Sequence, residues 1–143
     1  MFQRILVAVD SSPARHSAVR LAGELAGPAD AEVRVLHVVA SAATLATVVA
    51  LEDDDEAQAV LDEAVATLRD LGIKTEGALA TGLTTQIATT IAESAKEFGA
   101  DLIVLSPHHR GSVEALFNPR ISDAVAHASG TAILLAPQDA DRS

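Results

Sequence analysis

The chain has 143 residues, of which 49% are hydrophobic and only three, all Phe, are aromatic; this is enough apolar material for one packed domain built on Ala, Val, Leu and Ile. A formal net charge of -10 excludes the basic surface that nucleic acid or an anionic membrane requires. With no cysteine, disulfides, thiolate metal sites and a cysteine nucleophile are excluded as well.

The opening MFQRILVAVD reads as a strand over 4–10 and not as a leader, since no small-residue cleavage site follows an apolar stretch. Asp10 closes that strand. Ser12 and Pro13 then supply an N-cap and a proline at the first helical position. Ala18, Leu21, Ala22 and Leu25 share one helical face, and Gly27-Pro28 stands where the helix should end. EVRVLHVV (32–39) is the second predicted strand. An Ala-rich, then acidic, loop is expected over 40–56, and its apolar run ASAATLATVVAL is too short to span a bilayer.

Ala57, Val60, Leu61, Ala64 and Leu68 mark the second helix, with Gly72 just past its end. KTEGALA (74–80) is the third strand. Ile87, Ile91, Ala95 and Phe98 mark the third helix, closed by Gly99. LIVLS (102–106) is the fourth strand, Ile121, Val125 and Ala128 mark a shorter fourth helix, and TAILLA (131–136) is the fifth strand, stopped by Pro137. The runs at 4–10 and 102–106 are almost continuously apolar, as in strands covered on both faces of a parallel sheet. Repeated strand–helix units imply right-handed crossovers and helices on both faces. The expectation is one cytoplasmic α/β domain over 1–138 with a short polar tail, 139–143.

ILVAVDSS at the first strand, VLHVV at the second, TGLTTQIATTIAESAKEFGADLIVLS through the third helix and fourth strand, and the closing HASGTAILLAP together resemble the universal stress protein family. The resemblance covers nearly the whole chain, and the order and spacing of the motifs carry it. It implies a doubly wound, five-stranded parallel sheet in order 3-2-1-4-5, adenine-nucleotide-alpha-hydrolase-like, and a homodimer. In that order the winding reverses between the first and fourth strands, where ligands sit beyond the carboxyl ends. Asp10, Ser11 and Ser12 would then face the loop Ser106–Ser112 across a pocket walled by His37, Val38 and Val39. In nucleotide-binding relatives the residue matching Asp10 lies beside the base and ribose, and backbone groups of Val38 or Val39 would read an adenine edge. The plainer alternatives are that Asp10 accepts backbone N–H groups of the next turn and that Ser12 only caps a helix.

Nucleotide-binding members of the family carry G-x2-G-x9-G-[S/T] after the fourth strand. In this chain Ser106, His109, Pro119 and Arg120 stand at those four positions. A phosphate cradle needs converging N–H groups unobstructed by Cβ atoms. His109 adds bulk, and Pro119 has no N–H to offer a terminal phosphate at a helix start. Each lost charge-assisted bond costs about 1.5–3 kcal/mol, or roughly tenfold to a hundredfold in affinity. Tight ATP binding is therefore not expected. Gly111-Ser112 offers a shorter cradle, which with Asp10 and Val38 would hold AMP or ATP weakly, and His108, His109, Arg110 and Arg120 form a positive cluster for a smaller anion or a monophosphate. The competing reading pairs Arg110 and Arg120 with Glu114 and Asp123.

No catalytic group, metal site or resident cofactor is expected, because the chain lacks a G-x-S-x-G elbow, a Walker-type lysine motif and histidines at i, i+4 spacing. The last strand would be an apolar sheet edge, which soluble proteins seldom leave bare. Thr131, Ile133 and Leu135 are therefore the expected dimer contact. The resemblance implies a dimeric binding or scaffold module for stress physiology, open to an unknown protein partner. A nucleotide sensor is the alternative, and a slow ATPase is the least supported reading.

Overall fold

A computed structural model of the chain describes residues 2–10, 13, 15–43, 48–50, 54–83, 86–106, 124–127 and 129–136. Ile5 to Val9 of the first strand, β1 (Arg4–Val9), are all shielded from solvent, so cover is present on both of its faces. Side chains alternate across the pleat. Ile5, Val7 and Val9 meet the core beneath the helices α1 (Arg15–Ala29) and α2 (Asp54–Asp70), together with Ala18, Ala22, Leu61 and Leu68. Leu6 and Ala8 point the other way, onto Ile87, Ile91 and Ala95 of α3 (Ile87–Phe98) and Val125 of the helical stretch 124–127.

The remaining strands are β2 (Glu32–Ala43), β3 (Val48–Ala50), β4 (Thr75–Leu83), β5 (Leu102–Leu105) and β6 (Ala132–Leu135). β4, β2, β1, β5 and β6 lie side by side and all parallel. This is the 3-2-1-4-5 order, with helices on both faces, that the resemblance implies. Two strands run past their expected ends, β4 to Leu83 being one. β2 does not stop at residue 39 but runs to Ala43, and β3 folds back antiparallel on it, with Ser41 opposite Ala50 and Ala43 opposite Val48. The segment read as an Ala-rich loop thus carries a short hairpin, consistent with its Thr and Val content.

The helix ends show how local chemistry fixes the chain path. After α2, Gly72 sits at φ 82°, its N–H bonds Arg69 O at 2.9 Å, and Ile73 N–H bonds Leu68 O at 3.1 Å. After α3, Gly99 at φ 76° repeats the arrangement through Lys96 and Ala95. Both are Schellman caps placed where the sequence has its glycines. The first helix corrects the sequence reading. α1 continues through Gly27 and Pro28 to Ala29, and the left-handed residue is Asp30 at φ 54°. Asp30 N–H to Gly27 O (3.2 Å) and Ala31 N–H to Ala26 O (3.0 Å) complete the same cap. Pro28 has no N–H for the Glu24 carbonyl one turn back, so α1 gives up one bond there, while the two cap bonds from Asp30 and Ala31 are kept.

At the amino ends of the strands, the Asp101 carboxylate accepts the N–H groups of Gln3 (2.8 Å) and Arg4 (3.2 Å). Arg34 of β2 lies 4.8 Å from the Phe98 ring centre and pairs with Glu76 (3.0 Å) and Glu97 (3.1 Å). This cation–π contact and its two ion pairs close the end of the sheet opposite the crevice.

Candidate functional site

β1 (Arg4–Val9) is shorter than β2 (Glu32–Ala43), and the step between their carboxyl ends is where the crevice is expected. Val9 is opposite His37, the last pairing between the two strands, while β3 takes up the same side of β2 only from Ser41 onward. The far side of β2 is occupied by β4 without interruption up to Ser41 opposite Leu83. Among the described residues, no strand pairs with Val38, Val39 and Ala40 in the lane of β1, a span of about 13 Å from His37 to Ser41 at the usual strand rise.

The ladder decides which peptide groups face this gap. Glu32 N–H bonds Gln3 O at 3.0 Å, whereas Val33 N–H bonds Lys74 O at 2.9 Å. Even-numbered residues of β2 thus address β1 and odd-numbered ones address β4. The unbroken register to β4 carries this alternation forward. Of the two valines named from the sequence, Val38 turns its peptide groups toward the crevice and Val39 toward Thr81 of β4. Ala40 also faces the gap. Sequence reading missed it, because only the register distinguishes neighbouring residues of a strand.

Three buried polar side chains border the start of the gap. Asp10 and Ser106 are each 1% exposed and His37 is 0% exposed. Ala8 is opposite Leu105, so Asp10 and Ser106 leave adjacent strands at nearly the same level. Ser106 Oγ donates to Ala8 O at 3.4 Å. His37 Nδ1 donates to Val9 O at 3.0 Å. His37 therefore acts as a strut between β2 and β1.

Ser11, Ser12, His108, His109, Arg110, Gly111, Ser112 and Arg120 lie outside the described residues, as do Ile121 and Ala128 of the expected fourth helix. Among the described residues, no group of three or more His, Asp or Glu side chains is placed to hold a metal ion, and no helix is long and apolar enough to cross a membrane. At the far edge of the sheet, β6 carries exposed apolar side chains, with Leu135 54% exposed.

Comparison with solved structures returns the same architecture. A universal stress family protein from Burkholderia pseudomallei is 25% identical with a TM-score of 0.73, the match covering 94% of this chain and 96% of that one. A universal stress protein described in complex with cAMP is 22% identical (TM-score 0.69, 95% and 97% covered). One from Archaeoglobus fulgidus described in complex with dAMP is also 22% identical (TM-score 0.69, 94% and 98% covered). The comparison with curated proteins returned no match. The Universal stress protein family model matches residues 1–137, and with five parallel strands in the order this family's structures share, the chain belongs to the universal stress protein family.

Proposed function

We propose that the chain is a cytoplasmic, dimeric binding module of stress physiology whose crevice keeps a base-sized slot but does not hold ATP tightly. The observation that carries this reading is the gap beside Val38 and Ala40, bordered by the buried Asp10 and Ser106. A planar heterocycle in that gap would meet strand-edge donors and acceptors in place of a neighbouring strand. In this reading Asp10 would accept from a ribose hydroxyl. The phosphate end is different, because Ser106, His109, Pro119 and Arg120 replace the residues that cradle phosphates in nucleotide-binding members.

The second reading is a nucleotide sensor that binds AMP or ATP weakly through Asp10, Val38 and a shortened Gly111-Ser112 cradle. The similar structures described with cAMP and dAMP favour it. Neither reading assigns a catalytic residue, and we propose no enzymatic activity. The dimer would form through the open edge of β6 at Thr131, Ile133 and Leu135, where apolar side chains reach solvent.

The absence of Trp and Tyr gives a clean test. Protein purified from its cells and heat-precipitated should release no stoichiometric adenine band near 260 nm. A near-stoichiometric band would replace the first reading with the second.

A further inference from the structure

β4, nine residues long, forms the other edge of the sheet and has no strand on its outer side among the described residues. Such an edge recruits added strands unless it is shortened, bulged, covered, or armed with Lys or Pro. Here the register runs from Val33 opposite Thr75 to Ser41 opposite Leu83 without a bulge. TEGALATGL contains no Lys or Pro, and its one charged residue, Glu76, is held by Arg34 at 3.0 Å. The edge is engaged at its first carbonyl, where Arg69 Nε and Nη2 donate to Thr75 O at 3.1 and 2.9 Å. Beyond that point the alternation that turns Lys74 O toward β2 turns the peptide groups of Gly77, Leu79 and Thr81 outward. Among the described residues no strand pairs with them.

A groove of ≈ 500 Å³ runs beside this edge, between it and α2. Leu61, Val65 and Gly77 line it, and the carboxylates of Asp62 and Asp70 stand on its rim. The one rim cation, Arg69, is engaged with Thr75 O. Two copies pairing through β4 would bring two such acidic flanks together on chains of net charge -10. That repulsion disfavours self-pairing and favours a cationic strand. Asp62 and Asp70 are separated by about 12 Å along the helix, close to the roughly 13 Å between residues i and i+4 of an extended chain.

We propose that β4 and its groove dock an extended, cationic segment of a partner protein, added as a further strand. The segment places basic residues four apart over Asp62 and Asp70, with a small apolar residue between them over Gly77. Main-chain bonds to Gly77, Leu79 and Thr81 supply the pairing, and the acidic rim supplies the choice of partner. This surface is separate from the crevice, so it stands or falls independently of nucleotide binding.

The test is fluorescence anisotropy with a dye-labelled nonapeptide, Lys-Thr-Val-Thr-Lys-Thr-Val-Thr-Lys, against the same peptide with Glu for Lys. Saturable binding of the cationic peptide is expected, with at least a tenfold loss for the acidic one. Thr81→Pro, which removes an outward N–H, and the double variant Asp62→Lys/Asp70→Lys should each weaken binding at least tenfold, while Thr81→Val keeps it. Should Thr81→Pro lose its helical circular dichroism, the charge-reversed variant decides, because both carboxylates are on exposed helix surface. Absence of saturable binding, equal binding of the two peptides, or self-association abolished by the charge reversal would overturn the proposal.

Discussion

The His37 imidazole and the Val9 carbonyl are joined across β2 and β1: Nδ1 donates to the oxygen at 3.0 Å, and the ring is wholly shielded from solvent. A carbonyl only accepts, so the bond fixes the proton on Nδ1. It also holds β1 to β2 at the last pairing before the crevice opens. His37→Ala removes both the bond and the ring that fills the space. Lost hydrogen bonding and cavity formation together should cost about 2–4 kcal/mol. Urea unfolding should show a lower midpoint at unchanged slope; an unchanged midpoint would mean the ring fills nothing essential.

Asp30 gives a prediction of sign. It holds φ 54° at the end of α1, a conformation that costs most residues about 1–2 kcal/mol and glycine almost nothing. Asp30→Gly should therefore raise the thermal midpoint slightly, and Asp30→Val should lower it. Calorimetry on the pair checks the order, and a reversal would mean that the carboxylate itself sustains the cap.

Gly77 is required by packing and not by backbone conformation. A Cβ there would sit 3.0 Å from Val65 Cγ2 and 3.2 Å from Leu61. Gly77→Ala should cost about 1–3 kcal/mol by pushing α2 off β4. In the background of Val65→Ala the cost should shrink by at least about 0.5 kcal/mol, the coupling expected of touching residues. Additive losses in that double-mutant cycle would contradict the contact.

The proposed pairing of two β6 edges predicts that Leu135→Lys yields a folded monomer. Leu135 is 54% exposed, so the lysine need not be buried in the single chain. Ile133 packs against the core beneath α3, and Ile133→Lys should also lower stability. Sedimentation equilibrium separates the two effects. A Leu135→Lys protein that remains a dimer would move the contact elsewhere.

Much of this architecture is readable from the residues alone, because some positions leave few alternatives. Ile5 to Val9 and Leu102 to Leu105 are apolar without break and are buried on both faces. Gly72 and Gly99 mark helix ends because only glycine adopts their conformation freely. Gly27-Pro28 misleads for the same reason: two strong end signals stand one turn early, and Asp30 takes the left-handed position. The β2–β3 hairpin is hidden because small Ala and Ser residues suit a loop and a strand equally. In the crevice, Asp10 and Ser106 are legible as residues that end strands. The choice of Val38 and Ala40 over Val39 is not, because it depends on pairing between segments far apart in sequence. Strand order was likewise available only through the family resemblance.

The central claim is that the crevice offers a slot for a base without a grip for a triphosphate. Calorimetric titration of the purified protein with ATP and with AMP tests it most directly. Dissociation constants in roughly the millimolar range are expected for both, ATP gaining less than about tenfold over AMP because its extra phosphates find no amide donors. A micromolar constant for ATP, tighter than AMP by a hundredfold or more, would contradict it.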